Sequence, residues 1–258
     1  MDYFRQYLKV APLSHALWRT QETESISKIK LKKPILDLGC GFGEFAGVFY
    51  ESNVEMGIDI SENDLKEANH TEKYKKLILA DARDMPFDEE TFATVISISV
   101  IEHIIGTDEV LREVFRVLKK GGKFVFTTPH KDFTKFLFYP RLFNLFGMDA
   151  LARTYGNLIN KVFKHYSLYE ENEWKRMLMN QGFKIEKIEP NIRENIALLW
   201  DLGLIFALPT QLTKKIFGKR LPISPDFRVE LLYKTFLPLI QNSKGRACNL
   251  LIIARKPI

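Results

Sequence analysis

The chain has little that would staple it, anchor it or export it. Its 258 residues include only two cysteines, Cys40 and Cys248. Two isolated thiols make no disulfide framework and fit a reducing compartment. No apolar run approaches the roughly 20 residues of a membrane-spanning helix. The longest such stretch, Ile196–Leu208, is broken by Asp201. The start, MDYFRQYLKV, lacks a basic segment followed by an apolar one, so no secretory signal is expected. Internal repeats and low-complexity tracts are missing too. A cytoplasmic protein is expected, with one domain over 1–258 and 46% hydrophobic content to fill one core.

Negative charge is scarce in the second half. Residues 1–130 hold 17 Lys+Arg and 21 Asp+Glu, whereas residues 131–258 hold 21 and 11. The whole excess of +6 therefore comes from the C-terminal half, which favours something anionic or is simply a solvated surface.

What is present centres on PILDLGCGFGEFA, Pro34 to Ala46. Ile35, Leu36 and Leu38 read as a short buried parallel strand ending near Asp37. Gly39, Cys40, Gly41, Phe42 and Gly43 form a G-x-G-x-G turn, and Phe45, Val48 and Phe49 continue at helical spacing. Strand, glycine turn and helix open a nucleotide-binding α/β sheet. A dinucleotide fold would place a third glycine at position 44, which is Glu44. Carboxylates at Asp37 and Glu44 oppose a pyrophosphate and suit a cationic ligand.

The turn resembles the first motif of the class I S-adenosylmethionine-dependent methyltransferases, of the small-molecule or lipid type. The resemblance implies a Rossmann-like seven-stranded mixed sheet with helices on both faces. It also implies S-adenosyl-L-methionine as cofactor and Asp37, Gly39, Cys40, Gly41, Phe42 and Gly43 as cofactor-binding. The next acids fall in step. Val54–Ile60 is a second strand with Asp59 at its end, 20 residues past Gly39, where such sheets place a carboxylate against ribose hydroxyls. In the family Asp59 takes that role and Ile60 lies on adenine. Ser61 and Asp64 read as a capping box for the following helix. Leu77–Asp81 is a third strand, and the resemblance puts Asp81 and Ala82 at the adenine edge. Met85-Pro86-Phe87 matches a loop common in the family.

Phe92–Ser99 is a fourth strand of β-branched and aromatic residues, with Ser99 assigned by the resemblance to the methionine end of the cofactor. Glu102 and His103 follow. His103 is the candidate catalytic base or acceptor-orienting group, since it alone nearby titrates close to neutrality; the pair could equally cap a turn. Asp108–Leu118 is an amphipathic helix, with Lys119-Lys120-Gly121-Gly122 expected beyond it as a C-terminal cap. A fifth strand then runs from Lys123 to Thr128. The resemblance covers the cofactor half, 34–130, almost without gaps.

The other segments are a helical lead-in at 1–33, expected as a lid, and a cap insert at 131–166. Sheet completion is expected at 167–190 and 248–258, with a basic apolar insert at 191–247. In this fold the last strand inserts antiparallel between the fifth and sixth. Aromatics and cations alternate through the first insert, from Phe133 and Lys135 to Phe163 and Lys164. That mixture suits an acceptor pocket, an anionic membrane surface or a plain helical cap. In the lead-in, Arg19 and Glu22 read as an i, i+3 ion pair.

No Asn/Asp-Pro-Pro-Tyr motif follows the fourth strand, where Ser97-Ile98-Ser99-Val100 stand, and no RNA-binding module is recognisable. Nucleic acid is therefore not expected as a partner, and no metal is. The expected function is in-line methyl transfer to a small-molecule or lipid-linked acceptor. Two other readings stay open: a non-catalytic S-adenosylmethionine binder, and a nicotinamide-dependent oxidoreductase.

Overall fold

A computed structural model describes residues 1–204, 226–242 and 245–258. The basic KKIFGKR segment and the end of the Ile196–Leu208 stretch lie outside the described residues. The described chain parts into two compact units. One comprises 27–131, 163–190 and 249–258; the other comprises 1–26, 132–162 and 191–248. The lead-in and both inserts, read from the sequence as attachments to a single domain, thus group together as a unit of their own.

The first unit is built on a seven-stranded sheet in the order β3-β2-β1-β4-β5-β7-β6. Its strands are β1 (Ile35–Leu38), β2 (Met56–Asp59), β3 (Leu77–Leu79), β4 (Phe92–Ile98), β5 (Leu118–Pro129), β6 (Lys184–Arg193) and β7 (Ala247–Arg255). The first five pair in parallel, and β7 runs antiparallel to β5, between it and β6. Continuous apolar runs such as those of β1 and β4 form strands covered on both faces. All four residues of β1 are buried.

Helix α5 (Thr107–Val117) shows why the sheet closes. Val110, Leu111, Val114 and Val117 recur every three or four residues, and each is fully buried. Each such side chain contributes about 1.5–3 kcal/mol. Beyond α5 the glycine cap expected at Lys119–Gly122 does not form. Leu118 is already extended and pairs with Phe92, so β5 begins there, with an irregularity in register before Thr94 meets Lys123. Strand pairing overrides the local C-cap signal. In the same core cluster as α5, Trp174 of α8 (Glu171–Asn180) packs edge-on against Phe126 and Tyr169. A capping box between Glu170 and Glu173 starts that helix.

Helices α3 (Glu44–Phe49) and α4 (Glu62–Asn69) follow β1 and β2. Ser61 caps α4 by accepting the Asp64 N–H at 3.2 Å, one half of the reciprocal box expected there.

The second unit is helical: α1 (Tyr3–Val10), α2 (Leu13–Ile26), α6 (Phe138–Leu145), α7 (Asp149–Val162), α9 over residues 194–204, and α10 (Asp226–Gln241). Trp18, Phe133 and Trp200 form an aromatic cluster with centroids 5.6–5.7 Å apart. Asp201, fully buried, accepts the Tyr155 hydroxyl at 2.5 Å and the Tyr139 N–H at 3.0 Å. Desolvation raises its pKa. Arg19 and Glu22 form their ion pair at 2.8 Å, with the Glu22 side chain fully buried.

Candidate active site

The glycine turn is wired to the end of β2. The N–H groups of Gly39 and Cys40 both donate to the Ile58 carbonyl at 2.9 Å. Asp59 Oδ2 accepts the Gly41 N–H at 2.8 Å, and Oδ1 accepts the Ser61 N–H at 2.9 Å. The acid at the end of β2 therefore fixes both the turn after β1 and the entry to α4. Gly39 has φ +75°, and a Cβ there would lie 2.3 Å from Val100 Cγ1. Only glycine fits that position.

Above this turn opens a cavity of about 390 Å³, within the range of small-molecule sites. Gly39, Asp59, Ile60, Asp81, Ala82 and His103 line it, six of the residues singled out from the sequence. Leu38, Ile58, Val100, Ile104, Ile105 and Tyr166 supply most of its apolar wall. The other candidates stand behind the wall. Asp37 is buried and accepts the Tyr74 hydroxyl at 2.7 Å. Cys40 is buried, and desolvation pushes its thiol pKa up, away from thiolate chemistry. Gly41 presents its N–H to Asp59, and Gly43 opens α3 with φ +79°. Phe42 does not line the cavity. Ser99, at φ +52°, donates its N–H to Thr127 Oγ1 at 3.0 Å.

Asp81 lines the cavity paired with its neighbour Arg83. Its carboxylate receives Arg83 from three directions: the backbone N–H at 2.8 Å, Nε at 3.0 Å and Nη2 at 2.6 Å. A carboxylate has about four acceptor sites, so Arg83 leaves little free for a ligand amine. The same pairing holds the Asp81 pKa below its usual value. Arg83 and Tyr166 were not legible as wall residues. Arg83 was signalled only by its place two residues after Asp81, and Tyr166 arrives from a distant stretch of sequence. The Met85-Pro86-Phe87 loop is likewise held from afar. Glu113 accepts the Met85 N–H at 2.9 Å and pairs with Arg116, which donates to the carbonyls of Met85 and Phe87.

His103 ends the 3₁₀ turn Ile101–His103, whose Glu102 is buried. The Glu102 carbonyl accepts the N–H groups of Tyr166 and Ser167 at 2.8 and 3.1 Å, and Ser167 Oγ donates to the Ile104 carbonyl at 2.7 Å. These bonds bring His165 beside His103, with ring centroids 5.5 Å apart. Burial, with a further contribution from His103, pulls the His165 imidazole down to about 4.

Residues 36–126 match the family described as "Methyltransferase domain". The ubiquinone/menaquinone biosynthesis C-methyltransferase UbiE of Haemophilus ducreyi is 26% identical over 191 residues, 66% of this chain and 71% of that protein. Two further curated relatives, a sterol 4-C-methyltransferase of Caenorhabditis elegans and a Methanocaldococcus jannaschii protein, are 32% and 36% identical. The chain spans only 32% and 46% of their lengths. Among solved structures, a methyltransferase of Thermotoga maritima described as a possible histamine N-methyltransferase aligns with a TM-score of 0.61. It shares 17% identity and covers 95% of this chain and 91% of its own. The geranyl diphosphate C-methyltransferase of Streptomyces coelicolor, solved with Mg²⁺, geranyl diphosphate and S-adenosyl-L-homocysteine, aligns at 0.57 with 16% identity, covering 95% and 84%. At these identities the structural likeness speaks to the fold.

Proposed function

We propose that this chain, which belongs to the class I S-adenosylmethionine-dependent methyltransferases, methylates an apolar small-molecule acceptor. The observation that carries the reading is the mostly apolar cavity at the ends of β1, β2 and β3. Its charged lining comprises Asp59, Asp81 and Arg83, and Arg83 is spent on Asp81, leaving one uncompensated carboxylate. Such a wall fits a ligand with a sulfonium and an ammonium better than a pyrophosphate. Gly39, without a side chain, lines the cavity with its backbone.

Asp59 would hold the ribose hydroxyls, since each of its oxygens takes a single backbone N–H and keeps further acceptor capacity. Gly39, Gly41 and Gly43 shape the turn; Ile60 and Ala82 would flank adenine; Asp81 would meet the amine edge if Arg83 turns aside. Bound S-adenosylmethionine supplies a methyl group already activated by its sulfonium leaving group. The chain's own work is then alignment and exclusion of water, done by Val100, Ile104, Ile105 and Tyr166. His103 is the titratable group at the rim, placed to orient a hydroxyl acceptor or take its proton.

The ubiquinone/menaquinone biosynthesis named for one relative supports an apolar acceptor. So does the α6–α7 hairpin, which leaves Leu145, Phe146, Met148, Leu151, Leu158 and Val162 exposed beside the exposed cations Arg153 and Lys161. Apolar tips among cations suit shallow insertion into an anionic membrane, where such acceptors dissolve. No helix among the described residues is long and apolar enough to cross a membrane. The test is transfer of labelled methyl from S-adenosylmethionine into cell extract, partitioned between organic and aqueous phases. Enzyme-dependent label in the organic phase supports the proposal; label only in the aqueous phase contradicts it.

A further inference from the structure

We propose that Glu102, His103 and His165 form a site for one divalent transition-metal ion at the rim of the cavity. Nothing in the sequence spacing suggests it, because the third ligand comes from more than 60 residues away. One ligand atom from each of the three side chains lies within 4.8 Å of the others. Four ligands about 2.1 Å from a tetrahedral ion stand roughly 3.4 Å apart, so binding draws the three atoms together by at most about 1.4 Å. The paired rings are spaced to match. Two imidazoles bound to one such ion hold their centroids at roughly 5 Å, and those of His103 and His165 are 5.5 Å apart.

The surroundings of His103 resemble those of a metal ligand. Its Nδ1 lies 3.3 Å from the Lys164 carbonyl, a contact that favours the Nδ1–H tautomer. Nε2, on the other side of the ring, is 3.9 Å from Glu102 Oε1. Metal-binding histidines are commonly held in this way, one nitrogen against a backbone carbonyl and the other on the ion. Three backbone and hydroxyl bonds, with the His103–Lys164 contact, bind the two arms together: Tyr166 N–H and Ser167 N–H to the Glu102 carbonyl and Ser167 Oγ to the Ile104 carbonyl. The two arms are therefore held together without the ion.

Two imidazoles and one carboxylate select Zn²⁺, Fe²⁺ or Mn²⁺ rather than Ca²⁺. Three protein ligands leave positions open. Because His103 and Tyr166 also line the cavity, those positions face the space given to the acceptor. The ion would hold an acceptor oxygen, a phenol or diphosphate class of group. In that case His103 is a ligand and not a free base. This role toward the acceptor rests on the methyltransferase reading; the ion site itself does not.

The experiment is titration of the tag-free full chain, stripped with EDTA and dialysed, with Co²⁺ as the probe and visible absorption as readout. One Co²⁺ per chain is expected, with visible ligand-field bands displaced by Zn²⁺ and affinity falling at least ~10-fold in both His103→Gln and His165→Gln. The His103 side chain is 38% exposed, so its variant should fold, which circular dichroism in EDTA would confirm. No ligand-field bands, or unchanged bands in the double variant, would overturn the proposal. Binding of S-adenosylhomocysteine by the wild-type chain in EDTA tests the cofactor reading by itself, whatever Co²⁺ does.

Discussion

Replacing Gly39 with alanine tests the packing of the glycine turn most sharply. Two costs arise at that position. The backbone is at φ +75°, where a residue with a Cβ loses about 1–2 kcal/mol. The new Cβ would also lie 2.3 and 2.7 Å from the two Val100 methyl carbons, well inside a normal carbon contact. Relief requires the turn to move, straining the paired N–H bonds from Gly39 and Cys40 to the Ile58 carbonyl, or Val100 to give way. Overpacking of this kind costs about 1–3 kcal/mol. Gly39→Ala should therefore lose about 2–5 kcal/mol. Gly41 separates the two effects, because its φ is +52° and nothing lies within 4 Å of a Cβ placed there. Gly41→Ala should lose only about 1–2 kcal/mol. Adding Val100→Ala should recover the steric part, giving a coupling of about 1–3 kcal/mol in the double-mutant cycle. The assay is urea unfolding of the four variants and wild type, followed by circular dichroism. Equal losses at Gly39 and Gly41, or coupling below about 0.5 kcal/mol, would refute the reasoning.

Arg116→Ala leaves Glu113 without its bidentate partner and frees the Met85–Phe87 loop; a loss of about 3 kcal/mol is expected in the same unfolding assay. Tyr74→Phe removes a hydroxyl from the buried Asp37 carboxylate and should cost about 1.5–3 kcal/mol, measured likewise. Asp201 carries the pH signature. Its folded pKa lies above its unfolded one, so the stability it contributes is present at low pH and lost as pH rises through the folded value. The melting temperature of wild type minus that of Asp201→Asn should therefore grow as pH falls from 7 to 4; a constant or shrinking difference would contradict the burial assigned to Asp201. Phe146→Glu and Leu145→Glu together should abolish flotation with anionic liposomes if the α6–α7 tip inserts, and unchanged flotation would exclude that surface.

The cofactor half was legible because its signals are local. Apolar runs, the glycine turn and acids at successive strand ends recur one strand-turn-helix unit apart, so Gly39 and Asp59 are placed together by spacing, and Asp81 and Ala82 by the family resemblance that the spacing supports. Hydrogen bonding decided what spacing could not. Asp37 points into the protein toward Tyr74, 37 residues away, and Asp81 is saturated by Arg83. The start of β5 was misjudged because the Lys119–Gly122 cap signal is local, whereas pairing of Leu118 with Phe92 is not. Tyr166 and His165 reach the cavity region through bonds to the Glu102 carbonyl, a backbone acceptor that carries no sequence signature.

Asp59 is the residue proposed to hold S-adenosylmethionine in the cavity. Isothermal titration of S-adenosylhomocysteine into wild type and Asp59→Asn tests it most directly. One site per wild-type chain is expected, weakened at least ~10-fold, about 1.4 kcal/mol, by the substitution. No binding to wild type, or equal affinity in Asp59→Asn, would contradict it.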